Sequence, residues 1–315
     1  IQVGTGEYSV ASTGQLNITG TASDLLVGYG GGTSGTFTYS GTAAPLTIGG
    51  NVVVASGGNL NGYESGTFVQ GPNTRVEVAG SMTIGGDYSR DGTGGGGQSA
   101  LYNSLYTPGS GGIYTVAPTA SLVLTGTASD LRVGYGAGAR GMLTYGGSTS
   151  LRNLQVGVYV GSASQGNTVG DMTIAAGSQI NATGDITVGQ GGYSDRGYGV
   201  GSIIQSGVVT ASGVMNVGGN CGTGSYTVTE TGQLTLASDL LVGYNSNTNG
   251  TFVYGGTVAP LSIGRDLLVG GNGYPSPVNS YGSFTQGPNT AVLVGRNLTV
   301  GGNYTSSAAV TIGSG

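Results

Sequence analysis

The sequence predicts an all-β fold: a three-sided parallel β-helix (a β-solenoid) of about ten coils of roughly 30 residues each, expected to be right-handed. Three observations carry this. One short unit recurs along the whole chain. Each unit holds three segments in which apolar residues stand two apart, the spacing that puts them on one face of a strand. Glycine supplies 69 of the 315 residues, a density that helices do not tolerate.

The first segment opens with glycine, any residue, then an aromatic. It reads GEYSV at 6, GTFTY at 35, GTFVQ at 66, GIYTV at 112, GSYTV at 224, GTFVY at 250 and GSFTQ at 282. Weaker copies are GMLTY at 141, GDMTI at 170 and GSIIQ at 201. The second segment is aliphatic, polar, aliphatic, as in Leu46-Thr47-Ile48 or Leu234-Thr235-Leu236. The third opens with Asp, Asn or Ser and ends in Gly: DLLVG at 24, SMTIG at 81, DLRVG at 130, DITVG at 185, DLLVG at 239 and 266, NLTVG at 297. Glycine, Asn and Ser clusters between segments are turn chemistry. Three strands per unit make one coil, and each strand pairs with its counterpart about 4.8 Å along the axis. A single coil buries almost nothing; stacking creates the core.

A longer period overlies the short one. Two residues after the aromatic the chain reads Val10, Tyr39, Gln70, then Val116, Tyr145, Ile174, Gln205, then Val228, Tyr254, Gln286. Val, Tyr and Gln coils recur in that order, with one extra coil over 170–200. AAPLTIG at 43 matches VAPLSIG at 258, and QGPNTRVEV at 70 matches QGPNTAVLV at 286. Duplication built the chain. It reads as one solenoid domain over 1–315, with sets at 6–111, 112–223 and 224–315 and a projecting insertion over about 86–111.

Composition excludes several classes. Only 7% of residues are charged, against roughly 25% in ordinary soluble proteins. Collagen would need glycine at every third position and abundant proline; only 8 prolines are present. The net charge of −5 comes without a basic stripe, so nucleic acid is not an expected partner. No apolar run approaches the roughly 18 residues of a membrane helix, so membrane insertion is not expected. Cys221 has no second cysteine to pair with.

Units of the form GTFTxxGGTxxxLxIGxxLxVG resemble the glycine-rich repeats of secreted bacterial surface proteins, among them autotransporter passenger domains and repeat proteins with a PEP-CTERM sorting tail. The resemblance spans essentially the whole chain. It implies an exported protein of the extracellular space or bacterial cell surface.

The candidate chemistry is sparse. The aromatics Tyr8, Phe37, Phe68, Tyr114, Tyr226, Phe252 and Phe284 read either as a sugar-stacking platform or, preferably, as an inward core ladder. Asp24, Asp130, Asp185, Asp239 and Asp266 read as calcium ligands or, preferably, as side chains bonding turn backbone at a corner; no GGxGxD or EF-hand spacing occurs. The run GTGGGG at 92–97 lacks the Lys-Ser/Thr of a phosphate cradle. With no Lys or His and scattered Arg, no acid–base constellation is readable. No catalytic, cofactor-binding or metal-ligating residue is assigned, and an enzyme is not expected.

Self-association is the expected activity. The middle residue of the third segment should point outward, and Leu26, Val53, Tyr159, Leu241 and Leu268 form a candidate lateral interface. IQVG at 1 reads as a third strand without its first two. AAVTIGSG at 308 reads as a second strand without its third. Placed end to end they would complete one coil, with Ile1, Gln2, Val3, Val310, Thr311 and Ile312 as the candidate junction. Such a heterologous contact does not close and gives a fibre, each junction being strand addition. The other reading of the unfinished ends is a longer chain. Tyr88, Tyr102, Tyr106, Tyr193, Tyr198, Tyr274 and Tyr281 in or beside the insertions are candidate loop contacts. The expected function is a structural extracellular filament, sheath or matrix subunit whose partner is itself. The alternative is an adhesin stalk that contacts a host surface or cell-surface polysaccharide.

Overall fold

A computed structural model of the chain describes residues 1–21, 23–30, 32–56, 64–86, 111–126, 129–136, 138–160, 167–192, 197–271, 279–301 and 306–312. Among these there is no helix. The strands form three parallel sheets of 11, 11 and 10 strands. The aromatic sheet runs from Gly6–Val10 to Ser306–Ile312, the aliphatic sheet from Asn17–Ile18 to Val292–Val294, and the third sheet from Gln2–Val3 to Leu298–Val300. Every strand pairs with its counterpart one coil away, as in Tyr8↔Phe37, Phe37↔Phe68 and Phe68↔Tyr114. The chain is a β-solenoid.

Alternation sets the burial. In Ser34–Tyr39, Gly35, Phe37 and Tyr39 are buried and the residues between them are half-buried. Leu46–Ile48 buries its two aliphatics and Leu25–Tyr29 buries Leu25 and Val27. The three inward rows merge into one continuous core from Val3 to Phe284. Within it Phe37 and Phe68 meet edge-on at 5.0 Å, and Tyr226, Phe252 and Phe284 stack at 5.5 and 5.4 Å. Leu143, Met172 and Ile203 continue this row between Tyr114 and Tyr226. The aromatic ladder is core from Phe37 to Phe284; Tyr8, in the first coil, is 41% exposed.

Two fixed glycines of the repeat have one cause, the corner where the third strand meets the next aromatic strand. The glycine ending the third segment is left-handed, with φ of +63° at Gly28, +61° at Gly134 and +61° at Gly243. A Cβ at Gly134 would stand 2.0 Å from Val169 O, and one at Gly141, which opens a first segment, 2.1 Å from Ile84 O. Backbones touch here, so a side chain at either position would push the sheets apart. Ala55 holds the corner position in its own coil, at φ +56°.

The structure corrects the strand count at the C-terminal end. Ser306–Ile312 is an eleventh strand of the aromatic sheet, with Phe284↔Val310 and Gln286↔Ile312 in register. It is a first segment, not a second. Its alternation of Ala308, Val310 and Ile312 fits either sheet, and with no aromatic or opening glycine it carries no mark of its place. At the other end Gln2–Val3 is a third-sheet strand, paired Gln2↔Leu26 and Val3↔Val27.

Candidate functional site

The outward row of the third sheet runs Gln2, Leu26, Val53, Thr83, Arg132, Gln155, Thr187, Asn216, Leu241, Leu268, Thr299. Leu26, Leu241 and Leu268 are half-buried members of it. Two of the expected lateral residues do not belong on an open surface. Val53 is 2% exposed; its strand and that of Thr83 lead into 57–63 and 87–110, outside the described residues. Tyr159 is 3% exposed and follows the strand Leu154–Val158, whose outward residue is Gln155. Its ring lies against Gly197, where an added Cβ would meet it at 2.3 Å. The apolar stripe therefore reduces to the adjacent pair Leu241 and Leu268, with Leu26 far along the axis.

Of the loop tyrosines, Tyr198 and Tyr281 are exposed. Tyr88, Tyr102, Tyr106, Tyr193 and Tyr274 lie outside the described residues.

The residues opening the third strands form a row along one corner. Asp24 Oδ1 accepts from Asn51 N–H at 2.7 Å, and Asn51 Oδ1 from Ser81 N–H at 2.9 Å. Asn153 Oδ1 accepts from Asp185 N–H at 2.9 Å and Asp185 Oδ1 from Val214 N–H at 2.8 Å. Asp239 and Asp266 accept from the N–H of the next opener at 3.0 and 3.1 Å. Each side chain thus satisfies a backbone donor one coil on, which is the corner-bonding role.

Sequence reasoning missed that the arginines converge on this row. The Asp130 carboxylate, 4% exposed, receives Arg152 Nε at 2.9 Å, Arg132 Nη2 at 2.8 Å and Asn153 Nδ2 at 3.0 Å. Arg132 also lies over the Tyr135 ring, 4.6 Å from its centroid. Arg296 holds the Asp266 carboxyl below the usual carboxylate range, helped by the Asn297 N–H. The signal was there in principle: Arg132, Arg152 and Arg296 sit next to or two residues from an opener. Among the described residues no three of His, Cys, Asp and Glu cluster to hold a metal.

The Val–Tyr–Gln period has an internal explanation. Gln70 and Gln205 point into the core. Gln70 Nε2 donates to Ser121 O at 2.8 Å, and its Oε1 accepts from the Tyr114 hydroxyl at 2.5 Å. Gln205 Nε2 donates to Gln233 O at 2.6 Å, and its Oε1 accepts from the Tyr226 hydroxyl at 2.7 Å. Both of these Gln coils are thus covered by a Val coil whose ladder aromatic is tyrosine. Burial raises the Tyr114 and Tyr226 pKa values, keeping both phenols as donors. In the Tyr coils, Tyr39 donates to Ala44 O at 2.5 Å and Tyr254 to Ala259 O. The proline after each alanine holds it extended, which accounts for the shared Ala-Pro-Leu.

At the C-terminal end Leu298 and Val300 stand in register with buried Leu267 and Val269, yet both are exposed. Ile312 is 71% exposed, and Ile1 and Tyr8 are exposed at the other end. Of the candidate junction residues, Ile1, Thr311 and Ile312 are exposed, Val310 is half-buried and Val3 is buried. No family model, curated protein or solved structure matches the chain.

Proposed function

We propose that the chain is a non-catalytic structural protein of the extracellular space or bacterial cell surface. It is a rod that joins copies of itself end to end into a filament, sheath or matrix. The observation that supports this reading is the register: every strand pairs in parallel with its counterpart one coil away, as in Tyr8↔Phe37 and Phe284↔Val310, so a coil of one copy can stack on a coil of another by the same strand addition. The acids are occupied with backbone and arginine partners, as corner bonding requires. Electron microscopy of the purified chain tests the reading. Fibres with an axial repeat near the rod length are expected, and single rods at every concentration would overturn it.

A second reading, an adhesin stalk, draws on the exposed Tyr198 and Tyr281. Retention on an immobilised polysaccharide without polymerisation would favour it.

A further inference from the structure

The lateral contact expected on the third sheet has a better seat on the outer face of the aromatic sheet, and it goes beyond the end-to-end reading. Each aromatic strand sets two outward residues between its inward ones, and the register lines them up in two columns. Through the nine strands from Ser34–Tyr39 to Ser280–Gln286, the second column runs Thr38, Val69, Thr115, Thr144, Thr173 and on to Thr285. It is β-branched in every one of them: six Thr, two Val and one Ile. The first column, from Thr36 to Ser283, is Thr or Ser in six strands and Ile113, Met142 and Asp171 in the others. Strand propensity accounts for outward Thr and Val. It does not account for Ile113, Met142 and Ile204, all exposed on this face, with Tyr198 and Tyr281 exposed at its leading edge. Asp171 is the one charge in either column, whereas five acids open strands of the third sheet.

We propose that this face packs against the same face of a second copy, rod beside rod. The size fits: nine strands about 4.8 Å apart and about 20 Å long give a footprint of roughly 860 Å², near the ~800 Å² per partner of a stable interface. The charge fits as well. Two copies of net charge −5 meet with least repulsion on the face that carries one acid per copy. The chemistry suits a seam between sheets about 10 Å apart. β-Branched side chains are stiff and lose little rotamer freedom on burial. A Thr or Ser hydroxyl both donates and accepts, so facing hydroxyls satisfy one another. Both copies use one patch, so the contact is isologous and closes at two rods. It involves neither end of the chain. Joined end to end as well, such pairs make a fibre two rods wide.

The test is sedimentation of the full chain across a concentration series, with circular dichroism as the check on folding. A species of twice the chain mass is expected. Thr115→Asp with Thr144→Asp puts two neighbouring acids in mid-face and should weaken pairing about a hundredfold or more. Thr187→Asp and Thr235→Asp, outward on the other two sheets, should leave it unchanged. Asp171→Thr removes the one charge and should tighten pairing about tenfold. Pairing that survives the mid-face acids, or that falls as much with the acids on the other sheets, would overturn the proposal. If the mid-face acids unfold the chain, Asp171→Thr decides, since pairing that it does not tighten overturns the proposal too. Retention on an immobilised polysaccharide that the mid-face acids abolish, without pairing, would give the face to a glycan instead. Electron microscopy separates this contact from the end-to-end one. Fibres one rod wide would overturn the paired face alone, and paired rods that never form fibres would overturn the end-to-end joint alone. A chain that stays single at every concentration would overturn both.

Discussion

At the scale of single residues, the interior is decided by what cannot be left unpaired. Tyr226 and Gln205 show this. Removing the phenol oxygen in Tyr226→Phe leaves Gln205 Oε1 buried without a donor, at a cost of about 1–3 kcal/mol. Gln205→Leu together with Tyr226→Phe removes both partners and should recover part of that loss; urea denaturation of the two variants checks it. Ala55 is the opposite case, a strained residue with an available cure. Its φ of +56° costs an L-residue about 1–2 kcal/mol, and glycine gives back roughly half of the gain in chain entropy. Ala55→Gly should therefore raise stability by about 0.5–1 kcal/mol, read as a higher thermal midpoint. Neither effect was visible in the sequence alone. Gln70 and Gln205 stand two residues after an inward ladder residue, but only the register shows a tyrosine above each.

At the scale of strands and corners, the row of openers from Asp24 to Asn297 acts as a side-chain ladder beside the backbone ladder. Val214 interrupts it: it donates its N–H to Asp185 but has no oxygen to offer Asp239. Val214→Asn should restore the missing acceptor and stabilise by about 1 kcal/mol, measured by the same denaturation. A loss of stability on this half-buried change would show that the corner tolerates no amide there. Most strands are legible, because an apolar residue at every second position and a glycine at every corner but that of Ala55 repeat along the described coils. Legibility failed where these marks thin out. Ala308 to Ile312 has the alternation but no glycine, so from sequence it reads as a second segment. Tyr159 lies four residues beyond the outward position, Gln155, because 154–161 reads LQVGVYVG and both LQVG and VYVG fit the third-segment pattern. The corner glycines were read as turns, whereas their tightest constraint is contact between backbones of neighbouring sheets.

At the scale of the whole molecule, each coil touches only its neighbours, so stability is additive along the axis. Amide hydrogen exchange should be slowest in the central coils and fastest at Gln2–Val3 and Ser306–Ile312, whose strands have a neighbour on one side only. Uniform protection along the rod would contradict that picture. The architecture was readable from the sequence and the interaction surface was not, because outward residues on a solenoid answer to solvent rather than to a pattern. The buried Gln–Tyr bonds also bear on how the rod reaches its native state. Near-identical coils invite mispairing: a strand could skip one coil and still find glycine, aromatic and aliphatic in their places. A skipped coil, however, would strand Gln205 or Tyr226 in an apolar interior without its partner. The penalty falls on the wrong arrangement alone, so the polar pairs work as counting marks that let a repetitive chain wind up in one register.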